Sequence, residues 1–128
     1  MTDRPPSGPL ILVVDDEEAN RLALERILVR EGYDVRHAED GRQAMQRLRE
    51  ERPALVLTDL KMPGMDGLEL MRAARAVEPE LEVVLLTAFG TVETAVEAMK
   101  EGAFDFLTKP LKRAEILRTV RKALDKHH

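Results

Sequence analysis

An alternation constrains this chain more than any other feature. Strand-like runs at 10–14, 34–38, 55–58, 82–87 and 105–108 take turns with stretches at 18–31, 41–51, 67–77, 92–101 and 113–126 whose apolar residues recur at helical spacing. The first run, LILVV, is apolar at every position and stops at Asp15 and Asp16, the pattern of a parallel strand buried on both faces. In the stretch after it, Ala19, Leu22, Ala23 and Ile27 mark one helical face, and Gly32 is placed to end the helix. Asp40 with Gln43 resembles a capping box, Thr91 is placed to cap the fourth helix, and Gly102 to close it. Strict alternation of this kind forces parallel strands joined by right-handed crossovers. The expected fold is therefore α/β: a doubly wound five-stranded parallel sheet in a three-layer sandwich.

At 128 residues the chain has the length of one domain. The Pro-rich start, residues 1–9, is expected to be a disordered leader, residues 10–126 the domain, and residues 127–128 a tail or tag remnant. Hydrophobic residues at 44% and charged residues at 34% are the balance of a soluble globular protein. No apolar run approaches the ~20 residues of a membrane span, and the start lacks the apolar core of a signal peptide, so a cytoplasmic location is expected. The absence of cysteine excludes disulfides, thiolate metal sites and cysteine nucleophiles. A net charge of −4 gives no overall attraction to nucleic acid or to anionic membrane. The basic residues Lys112, Arg113, Arg118, Arg121, Lys122 and Lys126 read as a solvated helix face, diluted by Glu115 and Asp125.

Parallel strands direct their carboxyl ends to one edge, where sheets of this class bind ligands. The residues at the ends of strands one, three, four and five are Asp15 and Asp16, Asp59, Thr87, and Lys109. Each has an ordinary structural explanation: a loop or helix cap for the Asp pair, β-propensity for the Thr, a surface strand end for the Lys before Pro110. Their joint occurrence at successive strand ends points further. Three carboxylates in one pocket repel, each pair at ~5 Å by about 3 kcal/mol at an effective dielectric near 20. Lys109 supplies one compensating charge, and an all-oxygen set without Cys or His suits a hard divalent ion, so Mg²⁺ is the expected cofactor. A carboxylate beside Mg²⁺, an ammonium and a hydroxyl is equipped for phosphoryl transfer. Asp59, ending the central strand before the turn LKMPGMDG, is the candidate nucleophile; Asp15 and Asp16 are the candidate metal ligands, and Thr87 and Lys109 the candidate phosphoryl contacts.

From VVDDE through LTDLKMPGMDG and LTAFG to FLTKP, the sequence resembles the receiver domains of two-component response regulators over nearly its whole folded length. That resemblance implies a flavodoxin-like (βα)5 fold with strand order 2-1-3-4-5. It further implies phosphorylation of Asp59 by a partner histidine kinase, and Mg²⁺ held by Asp16, Asp59 and the Lys61 carbonyl, with Asp15 often acting through water. Such a domain is no turnover enzyme; it assists its own phosphorylation and slow dephosphorylation. Thr87 would be the switch hydroxyl and Phe106 the switch ring, relaying the change to the surface of helix four, strand five and helix five. Tyr is more common at the ring position, and its hydroxyl makes a contact that Phe cannot, so Phe106 is expected to favour its buried state even without phosphate. The competing expectation is a plain core Phe. Lys61 and Phe89, two residues after Asp59 and Thr87, are expected to tune the phosphoryl lifetime. The stretch TAFGTVETAVEAMKEGAFDFLTKPL is similar to receivers attached to enhancer-binding transcription activators, which implies a C-terminal output domain. Val92 and Val96 are candidates for core or for a homodimer face.

Three other functions compete. A haloacid-dehalogenase-like phosphatase also pairs an Asp nucleophile with Mg²⁺, but wants an Asp-x-Asp on the first strand where this chain has Asp15-Asp16-Glu17-Glu18. A receiver acting only as a phosphate-independent docking module would not need all five chemical positions intact. A flavodoxin-like cofactor carrier needs a Gly/Ser/Thr-rich phosphate loop after strand one, where acids stand instead.

Overall fold

A computed structural model describes residues 8–88 and 92–127, and for Val92, Lys126 and His127 the backbone alone. The expectations placed on the leader up to Ser7, on Phe89, on Thr91 as a cap, on the side chains of Val92 and Lys126, and on the last residue lie outside the described residues. The elements run β1 (Leu10–Val14), α1 (Glu18–Arg30), β2 (Asp34–Ala38), α2 (Gly41–Glu51), β3 (Leu55–Asp59), α3 (Gly67–Val77), β4 (Glu82–Thr87), α4 (Val92–Lys100), β5 (Asp105–Thr108) and α5 (Arg113–His127). All strand pairs are parallel and the sheet order is β2-β1-β3-β4-β5, as expected. The boundaries differ by one residue at four places: β3 includes Asp59, α1 and α4 stop one residue early, and α5 runs one further. Such shifts are the ordinary scatter of fraying ends.

Because successive strand side chains point to opposite faces, the sheet divides the core in two. On one side Leu12, Val14, Val56 and Leu85 meet Leu48 of α2, Leu70 and Met71 of α3 and Ala98 of α4. On the other, Ile11, Val13, Leu57 and Leu86 meet Leu24 and Leu28 of α1 and Ile116 and Val120 of α5. Burying each of these large side chains contributes about 1.5–3 kcal/mol, which is what holds three layers together. β3, at the centre, is buried at every position.

Local chemistry sets the joints. Gly32 (φ 94°) and Gly102 (φ 118°) occupy the left-handed region at the ends of α1 and α4, where a Cβ would be strained. Asp40 accepts the Gln43 N–H at 2.8 Å, while the Gln43 side chain takes the N–H of Glu39 rather than that of Asp40, a capping box displaced by one residue. A reciprocal capping box joins Asp66 and Glu69 at the start of α3. Lys112, just before α5, and Arg113, Arg118, Arg121 and Lys122 on it are exposed, the solvated face that was expected.

Candidate functional site

β1 and β3 are neighbours and end side by side, so their terminal carboxylates converge. One oxygen each of Asp15, Asp16 and Asp59 lies within 4.8 Å of the others. Asp15 and Asp59 are buried and Asp16 is exposed, which leaves the cluster open on one side. From the end of β5, Lys109 Nζ stands 3.2 Å from Asp59 Oδ2 and 4.0 Å from Asp15 Oδ2. The Lys109 N–H donates to the Thr87 carbonyl at 2.8 Å, pinning β5 to β4 just below the site, and the Lys109–Pro110 peptide is cis. Thr87 is fully buried and its hydroxyl has no hydrogen-bond partner among the described residues.

Burial is the main reason that the Asp15 carboxyl sits above its usual range, and the Asp59 charge adds to it; the Glu17 N–H, Lys109 and Asn20 pull the other way. Three carboxylates share the pocket with one ammonium, so when ionised they leave uncompensated negative charge. Lys109 alone does not balance three carboxylates, and a hard divalent ion on oxygen ligands fits the remainder. The buried Thr87 hydroxyl fits the same picture, because a buried donor without an acceptor is rare unless a ligand supplies one.

Of the residues singled out from the sequence, Asp15, Asp16, Asp59 and Lys109 come together as expected. Thr87 ends the strand between β3 and β5 and is paired in register with Thr108. Lys61 is exposed, and its N–H lies 3.4 Å from Asp59 Oδ1. Phe106, paired with Leu85, is half-buried and packs against the core on the α2–α3–α4 side. Val96 is 44% exposed, which removes the core alternative for it. Sequence reasoning missed Asn20 and Arg21. Arg21 donates to the Asp15 carbonyl at 2.6 Å, and the Asn20 amide reaches the Asp15 carboxylate at 3.2 Å. The signal for Arg21 was present, since it shares a stripe with Leu24 and Leu28 and an Arg on an apolar stripe needs a buried partner.

A 2-1-3-4-5 sheet with an acidic triad and a lysine at its carboxyl edge defines the receiver class of α/β domain. The chain belongs to the response regulator receiver domain family, whose sequence model matches residues 11–121. It is thus a signalling domain of two-component systems. It is 43% identical over 118 residues to the transcriptional regulatory protein ZraR of Escherichia coli K12, covering 92% of this chain and 27% of that protein. The chain thus spans about a quarter of the length of these transcriptional regulators. It is 37% identical over 114 residues to sporulation initiation phosphotransferase F of Bacillus subtilis, covering 89% of this chain and 92% of that one. Among solved structures, a response regulator receiver domain from Clostridium thermocellum superposes with a TM-score of 0.90 at 30% identity, covering 93% of this chain and 96% of that one. The receiver domain of NtrX from Brucella abortus does so with a TM-score of 0.87 at 38% identity, covering 90% and 98%. Among the described residues no helix is long and apolar enough to cross a membrane.

Proposed function

We propose that residues 10–126 are the phosphoacceptor switch of a two-component system, in which Asp59 takes a phosphoryl group from a partner histidine kinase. The observation that carries this reading is the meeting of three carboxylates within 4.8 Å with the Lys109 ammonium 3.2 Å from Asp59. Asp15, Asp16, Asp59 and the Lys61 carbonyl would hold Mg²⁺, which supplies neutralisation of the transferring phosphoryl oxygens. Asp59 forms the new P–O bond as the P–N bond to the donor imidazole breaks, and the imidazole nitrogen keeps the electron pair and takes a proton. Lys109 ion-pairs with one phosphoryl oxygen. Thr87 donates its unpartnered hydroxyl to another, and this draws β4 toward the new charge.

The change then passes through Thr87 and the half-buried Phe106 to the face formed by α4, β5 and α5. Val96 and Met99, exposed on α4, make that face a candidate homodimer surface. The likeness to ZraR, a transcriptional regulatory protein of which this chain matches 27%, supports a C-terminal transcriptional output domain as the receiver of the signal. The setting is the cytoplasm.

Incubation with Mg²⁺ and acetyl phosphate, read by intact mass, tests this. One phosphoryl group per chain is expected, none in Asp59→Asn or in Asp16→Ala, and none without Mg²⁺. No mass increase in the unsubstituted protein would favour the phosphate-independent docking reading instead.

A further inference from the structure

Asp15 is gripped at three points by the turn that follows it and the first residues of α1. Its Oδ1 accepts the Glu17 N–H at 2.9 Å, its Oδ2 accepts Asn20 Nδ2 at 3.2 Å, and its carbonyl accepts from Arg21 at 2.6 Å. The same Asn20 amide nitrogen donates to Glu17 Oε1 at 2.9 Å. One amide thus ties two carboxylates together, and the Glu17 N–H closes the loop by returning to Asp15. A helix-capping role does not account for this side chain. Asn20 is the third residue of α1, where a capping residue would reach back to the N-cap backbone, yet Glu17 at the N-cap makes no side-chain cap and the Asn20 amide is directed at carboxylates. Asn20 also lines, with Asp15 and Lys109, a cavity beside the carboxylate cluster, so it is not turned to bulk solvent alone.

We infer that Asn20 is a positioning residue that sets which divalent ion the acidic pocket prefers, by holding Asp15 in one orientation and restraining Glu17. The inference rests on the cation-binding reading of the pocket. Mg²⁺ demands near-ideal octahedral geometry and keeps several waters, whereas Ca²⁺ accepts six to eight oxygens in a pliable shell. A carboxylate fixed through both oxygens suits the first ion. Without the Asn20 amide, Asp15 keeps one side-chain hydrogen bond, from the Glu17 N–H, and on its other oxygen only the Lys109 ammonium at 4.0 Å, so it can swing, and Glu17 loses the bond that restrains it. Two mobile carboxylates beside Asp16 and Asp59 can then supply the extra oxygens that only the larger ion uses.

The test is a pair of NMR titrations, Mg²⁺ and Ca²⁺ separately, on the chelator-stripped 128-residue chain, following the backbone amides of Glu17 and Lys61. Loss of a partner that orients a metal ligand costs about tenfold or more in affinity, so Asn20→Ala is expected to weaken Mg²⁺ binding by about tenfold and Ca²⁺ binding by less than about threefold. Asn20→Asp, the same size but without a donor and with a further acid, should shift the ratio the same way. It also serves if the alanine variant does not fold. A Mg²⁺-to-Ca²⁺ ratio within about twofold of the unsubstituted protein in either folded variant, including a uniform loss for both ions, would overturn the inference alone. An unsubstituted protein whose amides ignore Mg²⁺ would overturn the cation reading with it.

Discussion

At the scale of single residues, the pocket opposes folding as long as it lacks a counter-ion. Asp15 is 1% exposed and its carboxyl sits above its ordinary value of 3.8, chiefly because burial penalises the charged form. The folded state therefore holds that proton more tightly than the unfolded chain does. Asp15 has its most favourable effect on stability below the ordinary carboxylate range, and that effect is lost as pH rises through the raised folded value. Asp15→Asn should consequently stabilise the metal-free protein at neutral pH, with a gain that shrinks toward acid, as measured by urea unfolding in chelator. A gain equal at both ends of the range would mean that packing, not charge, is responsible. Thr87 gives a second contrast. Its hydroxyl is buried without a partner, so Thr87→Val removes an unpaired group and should change stability by less than about 1 kcal/mol, while leaving Asp59 competent for phosphorylation. The amide shifts of α4 and β5 on phosphorylation should then be lost; their full retention would remove Thr87 from the relay.

Among the elements, the junction of β3 and α3 decides whether Asp59 faces the pocket. Gly67 opens α3 with its N–H on the Leu60 carbonyl at 2.8 Å, and a Cβ there would lie 2.5 Å from the Asp59 carbonyl oxygen and 2.8 Å from Leu60 Cα. Both neighbours are backbone, so neither yields cheaply. Gly67→Ala is expected to cost about 1–3 kcal/mol by urea unfolding and to weaken Mg²⁺ binding as β3 shifts. Asp66→Ala, one residue earlier, removes only the capping box; it should cost about 1 kcal/mol and leave Mg²⁺ affinity within about twofold. Equal effects of the two on Mg²⁺ would refute the special place given to Gly67. Much of this level was legible in the sequence. The strand ends carried Asp15, Asp16, Asp59 and Lys109 by alternation alone, because apolar runs in a parallel sheet stop where polar chemistry begins. The bracing by Asn20 and Arg21 was less so: the apolar spacing of Ala19, Leu22 and Ala23 pointed to a face of α1 that is exposed, whereas Arg21, Leu24 and Leu28 form the buried one, and spacing does not say that a polar side chain turns back toward the strand before it.

For the whole molecule, the sheet that separates the two cores also makes the site a shared edge: Asp15 and Lys109 adjoin the α1 and α5 side, and Phe106 lies against the α2–α3–α4 side. A charge placed at that edge touches both layers, so in the proposed switch a phosphorylated Asp59 would act on both sides of the sheet without a hinge. The same geometry makes metal binding visible as global stability. An ion that binds the folded pocket and not the unfolded chain stabilises by RT ln(1 + [L]/Kd), about 2.7 kcal/mol at a hundredfold excess over Kd, or roughly 10 °C in Tm for a domain of this size. Mg²⁺ is thus expected to raise the melting temperature of the unsubstituted chain in proportion to the logarithm of its concentration, with no rise in Asp16→Ala. Asp16 is the discriminating residue because it is the exposed member of the cluster, so its removal opens no cavity in the core. A Tm that climbs equally in both proteins would place the ion elsewhere on this acidic surface and detach Mg²⁺ from Asp59.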